Sequence, residues 1–364
     1  MTLDEDIICE IRGSAGVVVL NRPKALNALS LGTIRVLARA LDAWEYDPQV
    51  ARVVVMSTSE KAFSAGGDIR WLYDCGKAGR YNEMLAFWGE EYILNHRIKT
   101  YPKPYVSLID GLVMGGGVGI SLHGSHRIAG DRYLFAMPQV GIGLFPDVGA
   151  TYALPRLADN FGRFLALTGE RIGAADALSV GLATHSVLSE RIAELADALT
   201  GRHTLDEIWA EFSFEREPGP LQAEREVIAD AFGGGTLLEV FERLQSMAVG
   251  GSVFARKILH VISTKSPTSV AIAFEQMRRG ANLGFAEAMR TEYRIASRIV
   301  LGHDLYEGIR AVLIDKDHAP RWQPSKVENV KQVEIIQRYF APLGAEEHDI
   351  LREEYLLNRG GFHA

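Results

Sequence analysis

Three short segments of the chain contain residues suited to chemistry at a carbonyl group. Two of them, residues 62–69 and 110–119, are rich in glycine and follow stretches that are typical of buried strands. Bare N–H groups in such turns can converge on one point and stabilise negative charge on an oxygen. The third segment, residues 135–149, supplies an amide and a carboxyl group, Gln139 and Asp147. Together the three segments indicate a site where an oxyanion forms.

The glycine run is the most informative of these patterns, because four of the five residues 115–119 are glycine. Glycine is disfavoured in helices and strands, since it loses the most backbone freedom on folding. The apolar flanks of the run argue against a flexible linker. Two interpretations stay open on the residues alone: close approach of a ligand to the backbone, or tight packing of a helix against a sheet.

The elements that must position these segments alternate between strands and helices over the first two hundred residues. Strands are predicted at 16–20, 52–56 and 105–109, with shorter ones at 128–129 and 133–136. Pro23 cannot continue a strand ladder and ends the first of them. Apolar residues at helical spacing over 31–44 predict an amphipathic helix. Strands separated by helices imply crossover connections and an α/β fold.

Beyond about residue 200 the strand signal fades and helical patterns take over. Residues 204–207 and 236–239 each fit a capping box that opens a helix. Further helices are predicted at 253–263, 268–279, 286–300 and 306–314. The chain is therefore expected to have an α/β core followed by a largely helical C-terminal part.

Composition excludes several classes of function. The 364 residues carry a net charge of −7, with 47% apolar and 23% charged residues. That is an ordinary globular mixture without a block of Lys and Arg, so nucleic-acid binding is not expected. No uninterrupted apolar stretch approaches the ~20 residues needed to span a bilayer, so no membrane segment is expected.

The N-terminal residues and the cysteines bear on the compartment of the protein. Residues 1–6 are acidic and lack an apolar segment of the kind that secretory signals carry. Cys9 and Cys75 are too few for a disulfide framework and fit a reducing compartment, where they are expected to be ordinary packed thiols. A cytoplasmic protein, able to form a homo-oligomer, is the resulting expectation.

The motifs, taken together, resemble the crotonase (enoyl-CoA hydratase/isomerase) superfamily. Residues 21–29 are similar to its N-terminal signature, and residues 63–68 and 115–117 to its two oxyanion segments. Within it, the 3-hydroxyisobutyryl-CoA hydrolase branch is indicated by Glu90-Glu91-Tyr92 with Leu94-Asn95, by Gly119, and by residues 143–149 and 302–317. The resemblance covers roughly residues 17–343. It implies an α/β fold, with a crotonase (ClpP-like) ββα spiral core over 1–200 and a helical region, 201–364, packing on that core.

The resemblance also implies an activity: hydrolysis of a short branched 3-hydroxyacyl-CoA thioester, 3-hydroxyisobutyryl-CoA, in valine breakdown. CoA belongs to this substrate, so neither a separate cofactor nor a metal ion is expected. Gly67 and Gly116 would donate backbone N–H groups to the thioester carbonyl. Glu91 matches a substrate-contacting acid, although it could instead be one member of a solvated helix face. The acyl part would contact Glu91, Gly116, Gln139 and Asp147.

The CoA part would lie against the N-terminal signature and the first oxyanion segment. By the resemblance, Ala65 would contact the adenine through its backbone. Lys24 would lie beside the CoA, where its charge favours phosphate, but a solvated surface lysine is an equally good interpretation. The CoA-contacting residues implied are Lys24, Ala25, Leu26 and Ala65.

At two positions the chain differs from related enzymes in a way that bears on its chemistry. Hydratases of the superfamily usually carry a catalytic Glu where Gly119 stands, which argues against hydration. The residue after Met137-Pro138 is normally a Glu in the hydrolase branch, and here it is Gln139. An amide keeps the shape but neither accepts a proton at neutral pH nor carries charge, and losing a positioned base costs ~10²–10⁴-fold in rate.

Three explanations of Gln139 stay open: an introduced substitution, a natural homologue with weakened or altered chemistry, or Asp147 acting as the base while Gln139 orients water. The alternatives to a hydrolase are a hydratase or isomerase and a low-turnover acyl-CoA-binding homologue.

Asp147 is the stronger candidate for acid or base chemistry. The apolar residues around it in the third segment predict a raised pKa through desolvation. Its Pro-Asp-Val-Gly setting would also suit an Asp that merely bonds to nearby backbone. His123, His126 and His185 lack the spacing of metal ligands and are predicted to be structural.

Overall fold

The computed structural model describes residues 6–344 of the chain. Most of the acidic N-terminus and residues 345–364 of the predicted C-terminal region lie outside the described residues. The strands of the described part, β1 to β10 in chain order, are Ile7–Arg12, Ala15–Leu20, Arg52–Ser57, Ala62–Ser64, Tyr105–Ile109, Leu112–Met114, His126–Ala129, Leu134–Ala136, Ile172–Gly173 and His185–Ser186.

The α-helices of the described part surround these strands and then follow them. In chain order, α1 to α16 are Leu31–Glu45, Ile69–Lys77, Tyr81–Lys99, Gly116–Gly119, Ala150–Ala153, Phe161–Thr168, Ala174–Ser179, Ile192–Thr200, Leu205–Phe212, Arg225–Ala231, Leu237–Val249, Val253–Ser263, Pro267–Gly280, Phe285–Ile299, His303–Ile309 and Gln332–Tyr339. A π-helical turn, Arg310–Ile314, extends α15.

The strands form two sheets in a repeating order. The larger has the order β1-β2-β3-β5-β7-β10 and the smaller β4-β6-β8-β9. Neighbouring strands are parallel except for the pairs β1/β2 and β8/β9. Three successive pairs, β3/β4, β5/β6 and β7/β8, each send one strand to either sheet. This is the predicted α/β spiral of ββα units, and the fold class is confirmed.

Each predicted strand and helix has an observed counterpart, but strands β1, β4, β6, β9 and β10 and helices such as α2, α6 and α8 were not predicted. The strand at 105–109 has the predicted bounds, but the glycine run does not follow it directly. A further strand, Leu112–Met114, lies between them in the smaller sheet. Three residues are too few to show a period, so this strand leaves no signal in the sequence.

Strand β2 is buried on both faces, which explains its unbroken apolar sequence. Val18 packs into the main hydrophobic cluster, while Val17 and Val19 belong to a second cluster on the opposite face. Side chains of α8 and α9, among them Leu199 and Trp209, complete that second cluster. Both faces of the larger sheet are therefore covered.

The chain past the last strand is helical, as predicted, since β10 ends at Ser186. The capping box at Thr204 is confirmed, because both reciprocal bonds with Glu207 are present. The main hydrophobic cluster contains residues from β1 through Phe340, so it draws on both predicted regions. The division of the chain at residue 200 stays a prediction.

Two smaller predictions concern the thiols and membrane segments. Cys9 and Cys75 are both unpaired, and burial raises the pKa of Cys9 to about 12, as expected for unreactive packed thiols. Between residues 6 and 344, no helix has the length and apolar character needed to cross a bilayer.

Candidate active site

Three parallel strands of the smaller sheet bring the predicted site residues to one edge. Strands β4, β6 and β8 lie side by side and run in the same direction. Gly67, Gly116 and Gln139 follow the ends of these strands within three residues. Because the carboxyl ends of parallel strands meet at the same edge, segments far apart in sequence converge there.

The amides of Gly67 and Gly116 are both available as donors. In the parallel bridge between Gly67 and Leu29, the bonds use the Gly66 carbonyl, at 2.7 Å, and the Asp68 amide, at 3.0 Å. The Gly67 N–H therefore faces away from Leu29. Gly116 opens α4, where the first N–H groups have no partner within the helix. A Cβ on Gly116 would lie 3.3 Å from the Gly67 nitrogen, so the two amides are neighbours.

The glycine run packs tightly against other parts of the protein, while the approach of a ligand to it stays a prediction. Gly115 turns the chain with φ of +46°, a conformation that side chains disfavour. A Cβ on Gly116 would collide with Oε1 of Glu91, so the approach of that carboxyl requires glycine. A Cβ on Gly117 would lie 2.5 Å from the Ser64 carbonyl oxygen of β4. One glycine exposes an amide, and the next lets a helix pack on a strand.

Asp147 is buried among hydrogen-bond donors, with 4% of its surface exposed. The Tyr92 hydroxyl donates to its Oδ2 at 3.0 Å, and Nε2 of Gln139 donates to its Oδ1 at 3.2 Å. Burial raises the pKa of Asp147 to about 6, while these donors and the Trp88 side chain pull it down. The predicted upward shift is confirmed, and its side-chain bonds make Asp147 more than a turn residue.

Gln139 lies between Asp147 and the glycine run. Its nitrogen must face Asp147, since an ionised carboxylate only accepts hydrogen bonds. The same Nε2 is 3.7 Å from the position of a Cβ on Gly115. The other end of the amide, Oε1, is buried and has no hydrogen-bond partner among the described residues. It is therefore free to accept a bond from water or substrate.

Glu91 is buried rather than part of a solvated helix face. Only 2% of its surface is exposed, and it lies on α3 beside Gly116. Its Oε1 has no partner among the described residues. Burial, and secondarily the charges of Asp147 and Glu292, raise the pKa of Glu91 well above its usual value. A buried carboxyl group with a raised pKa and an unpaired oxygen fits a residue that contacts substrate.

The residues expected to contact CoA lie together at the surface. Lys24 and Leu26 are exposed, Ala25 is half-buried, and Lys24 makes no ion pair with the described residues. The amide of Ala65 donates to the Leu26 carbonyl at 2.9 Å, so only the Ala65 carbonyl is available to an adenine. Their role in binding stays a prediction.

The sequence analysis missed two buried polar side chains, from α13 and α14. Glu292 accepts bonds from the amides of Gly149 at 2.8 Å and Thr151 at 2.9 Å. Gln276 donates to the Pro146 carbonyl and, at 2.6 Å, to the Thr151 hydroxyl. The sequence did contain a sign of them. Each is a polar residue at a position where the helical spacing otherwise places apolar residues.

The three histidines have packing roles, as predicted, but in different places. His123 is buried and bonds to the Val148 carbonyl at 2.7 Å, and burial lowers its pKa to about 4. His126 and His185 stack on Trp209, with ring centroids 5.4 Å and 4.6 Å away. Across residues 6–344, no group of three His, Cys, Asp or Glu side chains is arranged to hold a metal ion.

A ββα spiral whose parallel strands present paired backbone amides at one sheet edge is the architecture of the crotonase class. The chain belongs to the enoyl-CoA hydratase/isomerase family, whose model matches residues 15–340.

Three vertebrate proteins that share one name are similar to the chain over most of its length. The chain is 44% identical to the 3-hydroxyisobutyryl-CoA hydrolase, mitochondrial, of Danio rerio, covering 95% of this chain and 91% of the relative. It is 45% identical to the protein of the same name from Xenopus laevis, over 92% and 88% of the two chains. The Homo sapiens protein of that name is 41% identical, over 94% and 90%.

Solved structures agree on the fold. A carnitinyl-CoA dehydratase from Mycobacterium thermoresistibile superposes with a TM-score of 0.88 and 37% identity, covering 94% of this chain and 98% of the other. An enoyl-CoA hydratase from Rhodobacter sphaeroides gives 0.87 and 38%, covering 93% and 98%.

The prediction of a cytoplasmic location is wrong on this comparison, since the vertebrate relatives are named as mitochondrial. The reasoning behind it rested on few cysteines and on an N-terminus without an apolar segment. Both features argue against secretion, and neither separates the cytoplasm from another reducing compartment.

Proposed function

We propose that the chain hydrolyses 3-hydroxyisobutyryl-CoA to 3-hydroxyisobutyrate and CoA, a reaction of valine breakdown. The observation that carries this proposal is the pair of neighbouring amides, Gly67 and Gly116, beside the buried carboxyl group of Asp147. The names of the vertebrate relatives support the choice of substrate. CoA is part of the substrate, and no other cofactor is proposed. Assembly into a homo-oligomer and the lack of a nucleic-acid partner stay predictions.

The thioester carbonyl would accept hydrogen bonds from both glycine amides. When water attacks the carbonyl carbon, its oxygen gains charge, and preorganised donors stabilise that charge more than they stabilise the ground state. Each such donor is worth about 3 kcal/mol in comparable sites. Glu91, held neutral by burial, would donate a hydrogen bond to an oxygen of the acyl group.

Asp147 would act as the base. With a pKa of about 6 it is mostly ionised at neutral pH and can take a proton from the attacking water. The unpaired Oε1 of Gln139 would accept the other water proton and orient the molecule. The carbon–oxygen bond forms, the carbon–sulfur bond breaks, and the proton held by Asp147 passes to the departing thiolate. This is the third of the explanations that the sequence left open.

Hydration is the competing reaction, because the solved neighbours are named as a hydratase and a dehydratase. The space beside Gly119 argues against it. A Cβ there would lie 2.8 Å from both Nδ2 of Asn95 and the Cβ of Val148, which leaves no room for an acidic side chain. Hydration of crotonyl-CoA by this chain should therefore be undetectable beside its thiol release.

Because the amide of Gln139 cannot act as a base, the chain should turn over slowly. The decisive experiment therefore replaces Gln139 with Glu. Thiol release from 3-hydroxyisobutyryl-CoA is measured for the natural chain and for Gln139→Glu. We expect kcat to rise ~100-fold or more in the variant with a much smaller change in KM, because a transition-state contact is gained. Asp147→Asn serves as the control, and it should abolish thiol release both in the chain with Gln139 and in the Gln139→Glu variant.

Each outcome of this experiment has a distinct meaning. Equal hydrolysis by the Gln and Glu forms would show that a carboxyl group at position 139 is not needed, and that Asp147 or another group is the operative base. Thiol release by neither form would overturn the hydrolase proposal and leave a chain that binds acyl-CoA without turning it over.

A further inference from the structure

The loop that carries Asp147 has an unfavourable backbone conformation. Val148 has φ of +55° and the following Gly149 has φ of +91°. A positive φ is uncommon for any residue with a side chain and is a genuine outlier for a β-branched one. Such a conformation persists only where the surroundings impose it. Something outside the loop must therefore hold Asp147 in place.

Three buried side chains from three separate elements do so. Glu292 of α14 accepts from the amides of Gly149 and Thr151, at 2.8 Å and 2.9 Å. Gln276 of α13 donates to the Pro146 carbonyl, immediately before Asp147. His123, which follows α4, bonds to the Val148 carbonyl at 2.7 Å.

The three side chains contact the backbone on both sides of Asp147. Backbone groups at 146, 148, 149 and 151 each meet one of these side chains, while the Asp147 carboxyl is left to Tyr92 and Gln139. Backbone and side chain of the loop are thus held by different groups.

We propose that Glu292, Gln276 and His123 are positioning residues that hold the strained loop so that the Asp147 carboxyl stays at the oxyanion end of the site. We call these three residues the loop clamp. The proposal rests on the proposed function, since it assigns the clamp to the reaction of Asp147. It also gives α13 and α14, from the helical C-terminal region, a role in positioning the loop through Gln276 and Glu292.

The choice of a carboxyl group at position 292 supports a positioning role over simple packing. Its surface is fully buried, and burial with the charge of Asp147 raises its pKa to about 8. An apolar side chain would avoid that desolvation. Either oxygen of a carboxyl group keeps a lone pair that an amide N–H can meet, whereas a Gln of the same shape would turn its NH2 group toward one of the two amides. The acids that interact with it electrostatically are Asp147 and Glu91.

The test compares Glu292→Gln with a matched control. Glu275→Gln makes the same chemical change at a buried acid of α13, which pairs with Arg278 and Arg279 and bonds to no loop residue. Both variants are made in the natural chain and in the Gln139→Glu background. We expect Glu292→Gln to lower kcat by ~10–100-fold while KM changes by less than about threefold. Glu275→Gln should leave kcat within about threefold at a comparable loss of Tm.

A second measurement does not depend on turnover. Amide hydrogen exchange at Gly149 and Thr151 should accelerate in Glu292→Gln and stay unchanged in Glu275→Gln, because only the first variant loses their acceptor. If Glu292→Gln does not fold, Gln276→Leu removes the bond to Pro146 with nearly the same volume. It should likewise lower kcat more than KM.

The outcomes separate the clamp from the proposed function. A lowered Tm with unchanged kcat and unchanged exchange at Gly149 and Thr151 would overturn the clamp and leave Glu292 with a packing role. If no form hydrolyses the thioester but exchange at those amides still accelerates in Glu292→Gln, the loop contact stands and the hydrolase proposal fails.

Discussion

At the scale of single residues, the environment of Asp147 depends on the neutral side chain beside it. Nε2 of Gln139 lies 3.2 Å from its carboxyl oxygen. Two carboxyl groups at that distance could not both ionise, and they would titrate as a pair. With an amide at position 139, Asp147 instead gains a donor, so it should ionise more readily here than it would beside a Glu. An amide at position 139 therefore removes one base and keeps a larger fraction of Asp147, the other, in its ionised form.

Hydrolysis should therefore depend on pH through Asp147. A base acts only when deprotonated, so kcat/KM should fall as pH drops through about 6, the pKa to which burial raises this carboxyl. Tyr92→Phe removes a donor that favours the ionised form, so the inflection should move to higher pH. The measurement is a pH–rate profile from pH 5 to 8.

Tyr101→Phe is the matched control, because that hydroxyl donates to the Leu41 carbonyl and touches no site residue. Its profile should match that of the natural chain. If the inflection in Tyr92→Phe lies at the same pH as in the natural chain, another group sets the pH dependence.

Single residues were predictable to different degrees. Gly67, Gly116 and Asp147 stand in recognisable motifs, so their convergence could be expected from the sequence. The burial of Glu91 could not, because one helix turn of acidic residues looks the same on a solvated face. Glu292 lies 145 positions after Asp147, and only the fold brings a helix so far along the chain against the Asp147 loop.

At the scale of elements, the site depends on three very short strands. Strands β4, β6 and β8 are each three residues long and supply the edge where the amides and Gln139 meet. Segments of this length carry no usable period, and only β8 of the smaller sheet was predicted. In the larger sheet, β2, β3, β5 and β7 were predicted, while β1 and β10 were not. The ββ repeat is likewise hidden, because connections of unequal length separate its units.

The contact between α4 and β4 makes an element-scale prediction. Gly117→Ala would place a Cβ 2.5 Å from the Ser64 carbonyl oxygen, and a strand backbone cannot yield as a flexible side chain does. We expect α4 to shift away from β4, moving the Gly116 amide relative to that of Gly67. The free energy of unfolding should fall by about 1–3 kcal/mol and kcat by at least ~10-fold. Urea unfolding and the thiol-release assay measure the two effects.

Gly173→Ala provides the comparison, since a Cβ at that position meets nothing within 4 Å. Its stability should change by less than about 1 kcal/mol and its kcat should be preserved. Full activity in Gly117→Ala would show that the register of α4 on β4 does not set the oxyanion geometry.

At the scale of the whole molecule, the helical C-terminal region completes the site rather than merely covering the core. Gln276 and Glu292 bond to the Asp147 loop, and the main hydrophobic cluster includes residues of both predicted regions. Periodicity predicted that this region is helical, and the family resemblance implied that it packs on the core. They could not predict that it supplies polar contacts to the loop, because a helix pattern shows which face is buried and not what that face meets.

Those polar contacts should be visible in the pH dependence of stability. The pKa of Glu292 is raised from 4.5 to about 8 in the folded chain. Between these values the folded chain holds a proton that the unfolded chain has released, so the free energy of unfolding falls as pH rises. Glu292→Gln cannot titrate there. Its stability relative to the natural chain should therefore improve from pH 5 to pH 8, by at most about 1.4 kcal/mol per pH unit.

Urea unfolding of both chains at pH 5, 6, 7 and 8 measures this difference, and Glu275→Gln serves as the comparison. Its two arginine partners lower the pKa of Glu275 against the effect of burial, so that acid contributes stability above its unfolded pKa and none is lost on going to pH 8. The deficit of Glu275→Gln should thus stay level from pH 5 to 8, while that of Glu292→Gln shrinks. A level difference for both variants would mean that Glu292 is ionised throughout. Its bonds to the Gly149 and Thr151 amides would then outweigh burial and the charge of Asp147.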